Sequence, residues 1–196
     1  MPGQRPPGLR ERNRARTYAE IADAALDLFE RQGYDATTVD QIATAAAVSP
    51  ATFFRYFATK EDVLFADEER AAATLSERVA ARTDRSTTSV TALAEPVIAY
   101  AEATVGSDSP NNLRLMRLVM TTPSLAARSL RMRLRWERDL ADQLAGEDGL
   151  AAPQLVHTVV ASIAVSCLTS GLRHWPNTSS PDALATLVRE AFKHAG

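Results

Sequence analysis

Apolar residues recur along this chain at intervals of three and four, the spacing that lets a helix bury one face. The first stripe is Tyr18, Ile21, Ala22, Ala25, Leu28 and Phe29. It stops at Gly33, with Tyr34 placed to close the end in a Schellman motif. A second stripe, Val39, Ile42, Ala43 and Ala46, has room for about two turns and ends near Ala47. Phe53 and Phe57 lie four apart and face inward from a third short helix. From Thr59 to Ala81 the spacing predicts one long helix running out of this region. Polar residues from Thr83 to Ser89 break the pattern. Helices then follow over about 90–105, 110–121, 123–145, 153–175 and 181–194. The run RMRLRW, Arg131 to Trp136, alternates with period two, but helix formers enclose it and turn signals are missing, so helix is the better reading. The expected fold is all-α, with about nine helices.

The helix starts carry their own chemistry. Thr38 stands three residues before Gln41, which makes a capping box. Ser49 followed by Pro50 gives a hydroxyl cap and then a residue that needs no donor at the first helical position. Ser109-Pro110, Thr122-Pro123 and Ser180-Pro181 repeat that sign, Pro153 opens a further helix, and Thr59 caps another. Two short helices joined at Val48 therefore precede a third, a helix-turn-helix over about 37–56. With Phe53 and Phe57 inward, the second of them turns Ala51, Thr52, Arg55 and Tyr56 outward. That face is small, polar and basic. In a major groove, Thr can meet a thymine methyl or a base edge and Arg can pair with guanine. Lys60, read as lying beside a helix N-terminus, suits a phosphate.

Gly33, Tyr34, Thr37, Thr38, Val39, Ile42, Ala43, Ala46, Val48, Thr52, Phe53, Tyr56, Phe57, Lys60 and Leu64 stand in one unbroken register between about Arg14 and Thr74. In that register the chain resembles the TetR family of transcriptional regulators. The resemblance implies a three-helix DNA-binding domain over 14–74, a helical regulatory and dimerisation domain over 75–196, and a disordered basic arm over 1–13. It implies that Thr38 and Lys60 hold phosphates, that Tyr56 lies against the DNA backbone, and that Ala51, Thr52 and Arg55 approach bases. Two positions depart from the usual pattern. Ala47 occupies a turn position that is commonly Gly, where a positive φ strains a residue with a Cβ. Phe54, also on the expected interface, replaces a common Tyr and so lacks one hydroxyl contact. A compact three-helix packing unit without DNA is the plain alternative.

Charge adds little in sum and more in distribution. The 196 residues carry a formal net charge of −2, so the chain as a whole does not attract nucleic acid indiscriminately. Arg5, Arg10, Arg12, Arg14 and Arg16 stand against the single acid Glu11 in the first 16 residues, beside three prolines. Such an arm can follow a phosphate backbone or enter a minor groove, or be a solvated tail. With Cys167 as the one cysteine, neither an intrachain disulfide nor a cysteine zinc site is available, and a cytoplasmic setting fits. No signal peptide and no membrane span is expected, and no cofactor.

The helix from Pro153 to Trp175 is apolar nearly all round, and the last helix carries Leu184, Leu187, Val188, Ala191 and Phe192 on one stripe. Gly171 would let another backbone come close. Helices 153–175 and 181–194 are therefore expected to pair with their copies in a homodimer, the alternative being a monomer with a central apolar helix. Two reading heads about one helical turn apart, or a near multiple, call for a roughly palindromic double-stranded operator. An unknown small-molecule effector in the second domain would weaken operator binding by favouring another head separation, with the long helix from Lys60 as lever. Tyr100, Met116, Met120, Trp136, Ser162, Ser166 and Thr169 are candidates for its pocket, or plain core. Arg114, Arg117, Arg128, Arg131, Arg133, Arg135 and Arg138 could receive an anionic effector, but read more readily as a solvated face paired with Glu137, Asp139 and Asp142. An enzyme is poorly supported, since His157, His174 and His194 follow no metal spacing and no phosphate loop or nucleophile elbow occurs. The expected function is a regulator, most readily a repressor, with an activator or a protein-contacting adaptor as alternatives.

Overall fold

Caps and prolines place most helix boundaries. The computed structural model describes residues 8–66, 68–85, 87–178 and 180–196, with backbone but not side chains at 106–110 and 181. Among the described residues the elements are α1 Leu9–Gln32, α2 Val39–Ala45, α3 Pro50–Tyr56, α4 Glu68–Ala80, α5 Val90–Thr121, α6 Pro123–Glu147, α7 Leu155–His174 and α8 Leu184–Ala195. Two short 3-10 helices, Trp175–Asn177 and Pro181–Ala183, lead into α8, and no strand occurs among these residues. The chain divides into two compact units, one through Ala66 and one from Asp67 onward.

The expectations that fail do so for local reasons. The basic arm is helical from Leu9, with Arg10, Arg12, Arg14 and Arg16 on the first turns of α1. The three prolines all lie at or before position 7, and Leu9 to Arg16 is rich in good helix formers. Residues 1–7, with Arg5, lie outside the described residues. Gly33 takes φ 88 and ψ 150 and donates its N–H to Phe29 O, so α1 ends without the left-handed Schellman geometry. No helix runs unbroken from Thr59 to Ala81. Asp62 accepts from both Thr59 N and Thr59 Oγ1 at 2.8 Å, and the bonds from Asp62 N to Thr59 O and from Leu64 N to Glu61 O make turns. The expected break at Ser109-Pro110 is absent, because α5 continues through it to Thr121. The last apolar helix begins at Leu155, two residues past Pro153.

The first unit closes around Ile21, Phe29, Ile42 and Phe53, all fully buried. Tyr18 and Phe57 stack at 4.9 Å, Phe53 and Phe57 at 5.6 Å, and Phe29 and Tyr34 at 5.1 Å. In the second unit α7 is central, packed against α5, α6 and α8, with Leu168, Trp175, Leu184 and Val188 wholly enclosed. By length and composition the segment Leu155–Asn177 could cross a membrane, with a mean hydropathy of 1.7. One such segment is weak evidence for a span, since the core helix of a globular domain has the same length and composition. Its burial among three helices accounts for that composition without a bilayer.

Gly171 of α7 receives α8 of the same chain. A Cβ there would lie 2.6 Å from Val188 Cγ2 and 3.3 Å from Val188 N. The α8 stripe is thus consumed within the protomer, with Leu184, Val188 and Phe192 buried. Gly171→Ala gains about 1 kcal/mol of helix propensity but must push α8 away, an overpacking cost of about 1–3 kcal/mol. A net loss of stability in urea unfolding is expected; a gain would mean that α8 yields freely.

The α6–α7 connection is held by polar groups. His157, buried, accepts from Gln154 N at Nδ1 (2.9 Å) and faces Asp148 Oδ2 from Nε2 at 3.0 Å, so the neutral ring carries its proton on Nε2. Thr88 Oγ1 donates to the same Asp148 oxygen at 3.0 Å. Hydrogen bonds from His157 and Thr88 lower the Asp148 pKa below its ordinary 3.8. At neighbouring Glu147 burial would raise the pKa, but contacts from the Arg82 guanidinium and the Gln143 amide, with the charge of Arg85, hold it below its ordinary 4.5. Both carboxylates therefore stabilise the fold above their unfolded values and lose that contribution as pH falls through the lowered ones. The contribution of these two carboxylates to the thermal midpoint should be lost as pH falls below the 3.8–4.5 range. Asp148→Asn should soften that loss, and an unchanged acid limb would refute the assignment.

Candidate nucleic-acid interface

Thr38 opens α2 as read. Its Oγ1 accepts from Gln41 N at 3.2 Å, while Gln41 Oε1 accepts from Thr38 N at 2.9 Å. Gln32, at the end of α1, adds Nε2 donors to Gln41 Oε1 (2.9 Å) and Thr37 Oγ1 (3.2 Å). The Thr37 hydroxyl in turn donates to Gly33 O at 2.8 Å. The start of α2 is thereby fixed to the end of α1, and Thr38 remains exposed. No signal in the sequence singles out Gln32, because its partners lie five and nine residues away, beyond the end of α1.

α2 ends at Ala45, two residues sooner than read, and Ala47 has φ 53. The turn does demand the left-handed region, and Ala pays the Cβ penalty that Gly would avoid. Val48 N bonds back to Ala43 O at 2.9 Å, closing the turn. Ser49 Oγ accepts from Thr52 N at 3.0 Å with Pro50 at the first position of α3. Phe53 and Phe57 are inward. Ala51, Phe54 and Arg55 are exposed, Phe54 at 56%, while Thr52 and Tyr56 are half-buried. The Thr52 and Ser49 hydroxyls share a hydrogen bond at 3.0 Å, and the Arg55 guanidinium lies 5.5 Å from the centre of the Tyr56 ring. The face read from the sequence is thus one surface, with its two best hydrogen-bonding groups held by neighbours.

Lys60 departs from its reading. It sits in a turn, not at a helix N-terminus. Its Nζ donates to Tyr34 O (2.7 Å), Thr37 O (2.8 Å) and Asp35 O (3.3 Å) and lies 4.4 Å from the centre of the Tyr34 ring. An ammonium has three donors, and all three meet backbone carbonyls. Lys60 here clamps the turn that precedes Thr38.

The residues expected to line a pocket do not converge. Tyr100 and Trp136 are core, in an edge-on contact at 6.1 Å, and burial pushes the Tyr100 pKa up against the smaller opposing effect of Thr104. Met116 is half-buried and Met120 exposed. Ser162 donates to Glu137 Oε2 and Ser166 accepts from Arg133 Nη2, tying α7 to α6, and Thr169 bonds back to Val165 O. The arginines mostly take the bland reading: Arg133 pairs with Glu137 at 2.8 Å, Arg135 with Asp139 at 3.6 Å and Glu68 at 3.8 Å, and Arg128 with Glu68 at 3.5 Å. Among the described residues no cluster could hold a metal ion.

Against known proteins, residues 21–66 match the sequence model described as bacterial regulatory proteins, tetR family, and residues 87–195 match the model described as the MftR C-terminal domain. The chain is 38% identical over 148 residues to the HTH-type transcriptional regulator TcmR of Streptomyces glaucescens, a match covering 74% of this chain and 66% of that one. It is 28% identical over 185 residues to a protein described as the mycofactocin biosynthesis transcriptional regulator MftR of Mycobacterium tuberculosis, covering 94% and 92%. The fold is shared with FadR, a fatty acid degradation regulator of Bacillus halodurans, at TM-score 0.62 and 21% identity over 91% of this chain and 94% of that one. It is shared also with Thermus thermophilus FadR, a repressor solved with lauroyl-CoA, at TM-score 0.53 and 22% identity over 91% and 92%.

Proposed function

This chain belongs to the tetR family of bacterial regulatory proteins, which makes it a DNA-binding transcriptional regulator, and we propose that it is a cytoplasmic homodimeric repressor released from a palindromic operator by a small molecule. The observation that carries the reading is the exposed face of α3, with Ala51, Thr52 and Arg55 toward bases and Tyr56 toward the backbone, set behind the capped start of α2 at Thr38. Phe54 offers a thymine methyl an apolar contact in place of a hydroxyl. Relatives named as transcriptional regulators support regulation over catalysis. The fold shared with a repressor solved with an acyl-coenzyme A supports an effector in the second unit.

The dimer uses α7 and α8. In α7, Leu155 is 79% exposed and Val156 and Val159 are 45% exposed, an apolar edge that a twofold copy would cover. Since α8 spends its stripe on α7 of its own chain, it contributes its outer residues to this contact.

The purified protein should retard duplex DNA from its own upstream region at low salt, with affinity falling steeply as salt rises. Failure to retard any such fragment would remove the reading, and salt-independent protein contacts without duplex binding would favour an adaptor. Arg55→Ala should cost about 1–3 kcal/mol on the preferred site and flatten the ranking of variant operators. An equal loss on every sequence would make Arg55 a phosphate contact instead.

A further inference from the structure

Between α4 and α6 runs a surface groove of about 530 Å³, walled by Ala73 and Ala80 on one side and Gly146 on the other. A second, much smaller cavity of about 20 Å³ adjoins it, lined by Leu75, Leu140, Trp136 and the carboxylate-bearing Asp139. Ser76 and Gln143 line both. These two residues latch α4 to α6 where the two cavities meet: Ser76 Oγ donates to Gln143 Oε1, and Gln143 Nε2 donates back to Ser76 O at 3.1 Å. Behind this latch Trp136 is buried, and its Nε1 has no acceptor among the described residues. A buried donor without a partner is costly, and about 20 Å³ is space for little more than one water.

We infer that this slot is the effector site, and that it takes an uncharged, largely apolar ring compound whose carbonyl or hydroxyl oxygen accepts from Trp136 Nε1. This deepens the proposed effector-released repressor and rests on it. The charges around the groove decide against an anion. Among the described residues Glu147 is met by Arg82 at 2.6 Å and Arg85 at 3.2 Å, and Glu77 adds a second carboxylate to the wall, so the groove carries no excess positive charge. Apolar Leu75 and Leu140 suit a ring, and the Ser76 and Gln143 groups freed by opening the latch can hydrogen-bond a second oxygen. In the present closed form the inner cavity is too small for such a molecule. Binding therefore requires α4 and α6 to part, and the ligand has affinity for the open form alone, which is the condition for shifting a conformational equilibrium. α4 begins at Glu68, two residues along the chain from the end of the DNA-reading unit at Ala66.

The test uses the full-length protein labelled with nitrogen-15, titrated with coumarin, 2-naphthol and 4-chromanone as neutral probes. Trp136 and Trp175 give two indole N–H resonances, assigned with Trp136→Phe. The Trp136 resonance should move downfield with at least one probe while that of Trp175 stays, and octanoate should move neither. Gly146→Phe fills the groove from a position where a Cβ meets nothing within 4 Å, and should weaken probe binding at least tenfold with an intact fold. The same probe should weaken retardation of operator DNA by the wild type and not by Gly146→Phe. The inference is overturned if no probe moves the Trp136 resonance, if octanoate moves it as well as they do, or if Gly146→Phe binds as the wild type does. DNA retardation without any of these responses would leave the regulator reading standing and remove this site alone.

Discussion

Glu147→Gln is expected to destabilise the second unit by about 3–5 kcal/mol, since it leaves a buried guanidinium without its counter-charge. The Arg82 side chain is 3% exposed and that of Glu147 9%, and Arg82 Nη1 also donates to Val79 O at 2.9 Å. The contact between Arg82 Nη2 and Glu147 Oε2 is close but poorly directed for a hydrogen bond, and Arg82 Nε meets no acceptor among the described residues. The pair is consequently a weak source of net stability and a large liability when halved. Urea unfolding followed by circular dichroism reads the difference. Arg82→Met combined with Glu147→Leu should recover most of the loss, because both charges then leave the interior together. A single-variant cost under about 1 kcal/mol would mean that water reaches Arg82 and the pair is in effect a surface one.

Lys60→Met should cost the first unit about 3 kcal/mol and most of its DNA affinity, because a charged donor serving three carbonyls is replaced by a chain that serves none. The carbonyls of Tyr34, Asp35 and Thr37 stand immediately before Thr38, so the turn that presents α2 loses its tie. A lysine that only touched phosphate would behave otherwise: stability would be unchanged, all DNA sequences would weaken alike, and the salt slope would fall by about 1. Calorimetry on the free protein separates the two, with an unshifted transition sinking the clamp. Lys60→Arg should rescue only part, since a planar fork cannot direct donors to three converging carbonyls as an ammonium does.

Legibility in the sequence tracked how local the cause was. The Thr38–Gln41 box, the Ser49-Pro50 start and the inward Phe53 and Phe57 involve neighbours three or four residues apart, and all appear as read. The positive φ of Ala47 follows from the shortness of the turn. The helix N-terminus expected beside Lys60 is a turn instead, and the carbonyl partners of Lys60 lie 23 to 26 residues upstream, where nothing at position 60 announces them. Ser109-Pro110 failed for the opposite reason. A local start signal was present, but α5 continues through it, and proline in a long packed helix is tolerated where tertiary contacts outweigh the lost bond. Of the proposed slot, Trp136 stands among the candidates read from the sequence, whereas Ser76 and Gln143 do not, because their contact spans 67 residues. Ser162 and Ser166 looked like pocket polarity and proved to be ties between helices.

The bare apolar edge at Leu155, Val156 and Val159 makes abundance part of this protein's thermodynamics. In the proposed homodimer, burying that edge adds to folded-state stability a contribution that grows with the logarithm of subunit concentration. Each tenfold fall in copy number then removes about 1.4 kcal/mol from the assembled state. A cell that dilutes its regulator by growth would expose the edge on ever more lone subunits, which proteases and chaperones clear first. Repression would then end more abruptly than dilution alone predicts.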